Sequence, residues 1–390
     1  MSETMHRVLV VKLADIGDAI GTLPALRALR DRLPDARIDA LVAPGARVVL
    51  EREPSVGEVL TFAKEAYDTP RGIANARAIQ DLARFSSELR ARQYDAVVFF
   101  HHLTTAWGAM KYRALALATG APIRAGLDNG RGDFLTHAVR DHGFGAMPEW
   151  AYWLDVVGLL GATAGDARPT VAISEDARTI AHALIGTGAP YIALHPGVGA
   201  FGPARQWSPA RMAAVGQTLA ADGYRLVITG GRDSHARDAA DELLRHLGST
   251  PALDLTGGSD IAVSAAVYAD AALFIGSDNG MAHLAAAVGA RAIVIFGPSN
   301  HRAWAPYGAV ECNPGALAVP PGARVIVLRS TIACSPCFYT GYTLGRPDGC
   351  PSRNCLDHVQ ASDVLVVASQ LLDSTPSRDI MDAFNGRVGG

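Results

Sequence analysis

An α/β protein made of two doubly wound parallel-sheet halves is what this sequence predicts, and three observations carry the prediction. Short apolar runs alternate with stretches of helical period along most of the chain, beginning with RVLVVK at 7–12. Several runs hand over to a turn rich in Gly, Asp or Asn ahead of the next helix. That order suits right-handed βαβ crossovers and a sheet covered on both faces. The pattern is broken by GATAGDARP at 161–169 and then begins again. The expected division is therefore 1–165, 170–373 and a loose tail at 374–390. At 390 residues the chain is long for a single core, which agrees with two domains.

In the first half, strands are expected at 7–12, 38–42, 59–62, 96–100 and 123–127. The helix after the first strand runs through Ile20, Leu23, Leu26, Leu29 and Leu33, with Pro24 tolerated in its first turns. Further helices are expected over 73–92, 105–118 and 150–160. Residues 64–75 read as an exposed excursion. The Gly-, Asp-, Arg- and His-rich stretch 126–147 reads as a loop rather than core. In the second half, strands are expected at 191–194, 225–229, 252–255, 271–275 and 292–296. Helices fill 175–185, 208–221, 234–247, 260–269 and 280–288, with a last one at 363–372. Ligand-type loops at strand C-termini in both halves put the active site in a cleft between them.

Composition narrows the class of function. Hydrophobic residues make up 49% and charged residues 19%, with a net charge of −3. There is no basic block, no RNA-binding aromatic motif and no recognition-helix pattern, which argues against a nucleic-acid partner. No apolar run is long enough for a membrane span. MSETMHRVLVVK leads straight into a strand rather than a signal peptide. A cytoplasmic protein is expected, with peripheral contact at an inner membrane surface left open.

The chemistry-bearing stretches lie at strand ends. AALFIGSDNGMAHLAAAVGARAIVIFGP at 271–298 reads as strand, turn, helix and strand. Glycines at 276 and 280 allow close backbone approach, and the helix start offers unpaired N–H groups to a phosphate or diphosphate. A plain structural turn is the alternative. Asp18 follows the first strand, where a carboxylate could act as a base; helix capping is the alternative, and by spacing alone the one favoured. Asp15 makes the same loop doubly acidic. HPGVG at 195–199 is followed by Arg205, whose fork of donors suits phosphate oxygens, and by Trp207, which reads as a packing anchor. Asp233 closes the next strand, as a ribose contact or a helix cap.

Together, KLADIGDAIGTLPALRA at 12–28, the stretch 195–209, GGRD at 230–233 and the stretch 277–308 resemble glycosyltransferase family 9, the ADP-heptose:lipopolysaccharide heptosyltransferases. The motifs recur in the family's order over nearly the whole chain. The resemblance implies a GT-B architecture, with an acceptor half first and a nucleotide-sugar half second. It implies that Asp18 is the catalytic base and that Gly197, Val198 and Arg205 hold the donor diphosphate. Asp278, Asn279 and Gly280 match the family's diphosphate turn, His283 its helix histidine, and Asp233 a ribose-contacting acid. His283 as a simple helix-surface residue is the alternative. Asp15, Arg205 and Asn279 depart from the residues usual in the family. The implied chemistry is inverting transfer of a sugar, heptose from ADP-heptose, to a lipopolysaccharide-core or related glycan. A protein acceptor and a non-catalytic nucleotide-sugar or metal-binding module are the rival readings. No cofactor is required for the chemistry.

Four of the five cysteines, Cys334, Cys337, Cys350 and Cys355, fall in one short segment. The spacing C-x2-C followed by C-x4-C resembles a structural zinc site and recurs in part of this family, where a related subgroup with cysteine-held iron modifies autotransporter proteins. A structural zinc or iron is one expectation; reduced or paired thiols without metal are the other.

Overall fold

A computed structural model describes residues 5–67, 75–199 and 201–373. The expected tail at 374–390, and the part of the 64–75 excursion from 68 to 74, lie outside the described residues. The chain forms two compact units. The first comprises Met1–Ala172 together with Asn300–Trp304 and Phe338–Gly345; the second comprises the remainder.

Among the described residues, the main sheet of the first unit has six strands: β1 (Arg7–Lys12), β2 (Arg37–Val42), β3 (Glu58–Thr61), β4 (Ala96–Phe99), β5 (Ile123–Asp128) and β6 (His137–Arg140). They lie in the order β3-β2-β1-β4-β5-β6 and every neighbouring pair is parallel. That is the doubly wound order, in which direction reverses beside the first strand and ligand sites gather at strand C-termini. β1 is central and buried from its second residue to its last, which places Lys12 at that edge inside the protein. The helix Ile16–Arg32 follows, with Leu23, Leu26 and Leu29 buried. Pro24 sits within it without ending it.

The stretch 126–147 is less of a loop than expected. It completes β5, supplies β6 and buries Asp141, while Tyr152 Oη donates to the Gly143 carbonyl at 2.9 Å. The polar composition of 126–147 reflects a sheet edge with buried ion pairs. The segment expected as a linker is tied to this unit, since Arg27 donates to Thr170 Oγ1 and to its carbonyl, each at 2.7 Å.

Among the described residues, the second unit has seven parallel strands: β7 (Tyr191–His195), β8 (Arg225–Ile228), β9 (Ala252–Asp254), β10 (Leu273–Ser277), β11 (Ala292–Phe296), β12 (Val310–Cys312) and β13 (Val325–Arg329). Their order is β12-β13-β11-β10-β7-β8-β9, and every neighbouring pair is parallel. The five strands expected here are present, one with the expected ends and four with ends shifted by one or two residues. β12 and β13 were not expected. β13 is a fully buried VIVLR run, hidden in the sequence behind the Gly- and Pro-rich stretch 313–323. A hairpin of β14 (Phe338–Thr340) and β15 (Thr343–Gly345) also went unread, and it belongs to the first unit. Trp207 is the anchor it was expected to be: fully buried, it donates from its amide to Ser277 Oγ and from Nε1 to the Val359 carbonyl.

Candidate active site

In the first unit the loop after β1 is clamped from both sides. His101 Nε2 accepts from the Leu13 amide at 2.7 Å, and Lys64 Nζ donates to the Leu13 carbonyl at 2.7 Å. Burial, with Lys12 and Lys64 nearby, holds the His101 imidazole well below its usual range, so it is a neutral acceptor. Asp15 takes the N-cap position of the Ile16–Arg32 helix without a side-chain cap bond, and Asp18 lies inside the first turn. Capping therefore does not account for Asp18. Its Oδ1 lies 3.0 Å from Lys12 Nζ, with Lys12 only 4% exposed and Asp18 21%. The ammonium rests 4.4 Å from the Trp153 ring centre and 5.8 Å from that of Trp304.

Beside this pair sits a buried charged trio. His102 Nε2 lies 3.0 Å from Glu149 Oε1, and Nδ1 lies 2.9 Å from Asp141 Oδ2. The Nδ1 contact is an ion pair with poor hydrogen-bond angles. Burial pulls the imidazole down, but the two carboxylates outweigh it and raise it to about 9. The ring is packed among Phe144, Tyr152 and Trp153. Glu149 opens the helix Glu149–Gly158, which carries Trp153 one turn on, so the trio sets the seat of Lys12.

In the second unit the donor-type loop is built differently. Gly197 and Val198 are buried at the end of β7 and Gly199 is exposed. Asn279 caps the helix Gly280–Ala287, its Oδ1 accepting from the amides of Met281 and Ala282. Its Nδ2 donates to the Gly197 carbonyl at 2.8 Å. The expectation of unpaired N–H groups at this helix start is therefore corrected for those two amides, because Asn279 occupies them. The expected role of Gly276 changes too. A Cβ there would meet the Phe274 ring at 2.9 Å, so internal packing demands glycine.

Arg205 donates from Nε to the Gly202 carbonyl at 3.1 Å and from Nη2 to the Phe201 carbonyl. Its Nη1 stands 3.8 Å from Asp278 Oδ2, a loose ion pair. Asp278 is buried and His283 is half-buried on the helix. Asp233 is exposed and caps the helix Ser234–Leu247, accepting from the Ala236 amide at 3.0 Å. An open pocket of about 170 Å³ adjoins the loop, lined by Val198, Gly199, Gln206, His235, Asp238 and Glu242. Its two carboxylates suit hydroxyl or amine donors better than phosphate.

The profile of Glycosyltransferase family 9 (heptosyltransferase) matches residues 82–341, most of the chain. The chain belongs to glycosyltransferase family 9. It is 28% identical over 308 residues to lipopolysaccharide heptosyltransferase 3 of Escherichia coli, covering 75% of this chain and 83% of that protein. Among solved structures, a family 9 glycosyltransferase from Veillonella parvula aligns with a TM-score of 0.69 at 21% identity, covering 96% of this chain and 99% of that one. E. coli heptosyltransferase WaaC with ADP aligns with a TM-score of 0.66 at 19% identity, covering 94% and 99%. The fold is GT-B, as the sequence implied.

The structure of this family 9 enzyme brings together Lys12 with Asp18, and Gly197 with Asn279 and Arg205 with Asp278. It gives Asp233 a capping bond. Sequence reasoning missed Lys12, His101, His102, Asp141 and Glu149. The available signal was a His-His pair directly after the strand expected at 96–100.

The cysteines do not fit a metal as they stand. Among the described residues no group of three or more His, Cys, Asp or Glu side chains is placed to hold an ion. Burial pushes the Cys355 thiol up to about 11, and the Cys337, Cys350 and Cys334 thiols near it add to that. Cys334 is exposed and Cys337 and Cys350 are half-buried. The segment instead braces the donor-type loop. A Cβ at Gly349, which has a positive φ, would meet Ala204 Cβ at 2.5 Å, and Arg211 donates to the Leu356 carbonyl.

Proposed function

We propose that this glycosyltransferase transfers heptose from ADP-heptose to a hydroxyl of a lipopolysaccharide-core glycan, with inversion at the anomeric carbon. The observation that carries the reading is Asp18. It is a partly exposed carboxylate at the C-terminal edge of a doubly wound sheet, with one oxygen held by Lys12 and no hydrogen bond through the other among the described residues. Asp18 takes the proton of the acceptor hydroxyl as that oxygen bonds to the anomeric carbon. The bond from that carbon to the diphosphate breaks, and ADP leaves with the electron pair. Arg205 exchanges its carbonyl partners for diphosphate oxygens and stabilises the leaving charge, with the positive end of the Gly280–Ala287 helix adding to it. Asp278 acts on Arg205 rather than on the anion, since a buried carboxylate repels a diphosphate. Asn279 holds Gly197 and Val198 in place for the donor. No step requires a metal.

The relative's name, lipopolysaccharide heptosyltransferase 3, and the ADP in the aligned WaaC structure support donor and acceptor class. No helix among the described residues is long and apolar enough to cross a membrane. The test is to incubate the protein with ADP-heptose and a heptose-deficient core glycolipid, and to assign the product by NMR. A new glycosidic bond of opposite anomeric configuration to the donor is expected. A retained configuration, or transfer only from another nucleotide sugar, would overturn the reading.

A further inference from the structure

The buried ammonium of Lys12 is unexplained by packing. Taking a lysine out of water costs several kcal/mol unless a partner and further contacts offset it. Lys12 has a single ion-pair partner among the described residues, Asp18 at 3.0 Å, and otherwise rests on the faces of Trp153 and Trp304. Both rings belong to the same unit as Lys12. The position is also fixed from behind, because Lys12 is the last residue of the central strand β1, paired in register with Val42 of β2. The charged groups of this neighbourhood are Asp18, exposed Asp15 at the helix start, Lys64 on the Leu13 carbonyl, and the His102–Asp141–Glu149 trio behind the Trp153 helix, while His101 is neutral.

We infer that Lys12 is a positioning residue for transfer: its ammonium holds Oδ1 of Asp18, fixing the carboxylate's rotamer and leaving Oδ2 to take the acceptor's proton. The inference rests on the reading of Asp18 as the base. When Asp18 gains the proton, the ion pair becomes an ammonium beside a neutral acid. The π faces of Trp153 and Trp304 then keep the buried cation in place, so the base is returned to the same geometry after the proton is released. A hydrophobic residue at position 12 would pack equally well on the two indoles but would leave the carboxylate free to rotate.

The test uses the full-length protein with ADP-heptose and a heptose-deficient core glycolipid. Lys12→Met is expected to lower kcat about a hundredfold, within the range of an acid–base contribution, with KM for ADP-heptose unchanged. Lys12→Arg, which keeps a cation over the rings, should recover about tenfold of the lost kcat. Lys12→Gln supplies the same readouts if the methionine variant does not fold. Wild-type kcat in the uncharged variants overturns the inference. So does a lowered kcat accompanied by a raised KM for ADP-heptose and no recovery in Lys12→Arg, which would assign Lys12 to folding alone. Asp18→Asn separates the two levels. If it retains transfer, the base reading falls and Lys12 with it; if it abolishes transfer while the Lys12 variants behave as wild type, only the present inference falls.

Discussion

The first unit makes its site from side-chain charges held inside the protein, whereas the second makes its site from backbone held by single side-chain hydrogen bonds. Around β1 and β4, Lys12, His102, Asp141 and Glu149 are buried and each has an opposite charge within 3.0 Å. Around β7 and β10, Gly197, Met281 and Ala282 present main-chain groups that one asparagine connects. The chemistry assigned to each explains the contrast. A base must keep one carboxylate fixed, and a buried ion pair fixes it at the cost of desolvation. A diphosphate instead needs several donors around a ligand that arrives with its own charge, and main-chain groups beside glycines can approach it closely.

Breaking the first region should have the larger effects. His102→Gln leaves Asp141 and Glu149 buried without their cation and should destabilise the protein by about 3–5 kcal/mol in denaturant titration near neutral pH. The same residue sets a pH dependence. Its folded value of about 9 lies above its ordinary 6.5. Its contribution is therefore complete below about pH 6.5 and is lost as pH rises through about 9. The wild-type thermal midpoint should fall across that window, and His102→Gln should be much flatter there. A flat wild-type profile would mean that the trio does not carry the charge assigned to it.

Breaking the second region should cost less stability and more affinity. Arg205→Ala should weaken ADP binding by about 10- to 100-fold in calorimetry, the loss expected for one charge-assisted donor set, with little change in melting. Asn279→Ala removes a cap and a buried bond to Gly197. It should lower stability by about 1–3 kcal/mol and also weaken ADP binding, because the loop and helix come apart. The smallest effect is expected at Asp233. Its alanine variant should lose about 1 kcal/mol of stability as a lost cap. Unchanged ADP affinity there would assign Asp233 to capping alone, and a matching loss of affinity would add the ribose contact.

Much of the fold was legible because parallel strands buried on both faces appear as unbroken apolar runs between helix-period stretches. β13 carried the same signal and was obscured by the Gly- and Pro-rich approach to it. The β14–β15 hairpin was illegible for a different reason: three-residue strands in a polar, cysteine-flanked segment carry almost no period. Site legibility divides along the same line as the two regions. Asp18, Gly197, Arg205 and Asn279 lie in motifs contiguous in sequence and could be named from it. Lys12 was hidden as the end of an apolar strand. His102, Asp141 and Glu149 are separated by up to 47 residues and meet only when β4, β6 and the Glu149–Gly158 helix are assembled. The cysteine spacing left metal and metal-free thiols open, and among the described residues no group of three or more ligands is placed to hold an ion.

The most direct measurement of the central claim, that proton abstraction belongs to Asp18 and donor affinity to the loop around Arg205, pairs two variants in two assays. Asp18→Asn and Arg205→Ala would each be tested for ADP-heptose binding by calorimetry and for transfer to a heptose-deficient core glycolipid. The account predicts that Asp18→Asn binds the donor as wild type does but transfers about 10²- to 10⁴-fold more slowly. Arg205→Ala should lose affinity and recover part of its rate at high donor concentration. Wild-type transfer by Asp18→Asn, or loss of its donor binding alongside transfer, would contradict the account.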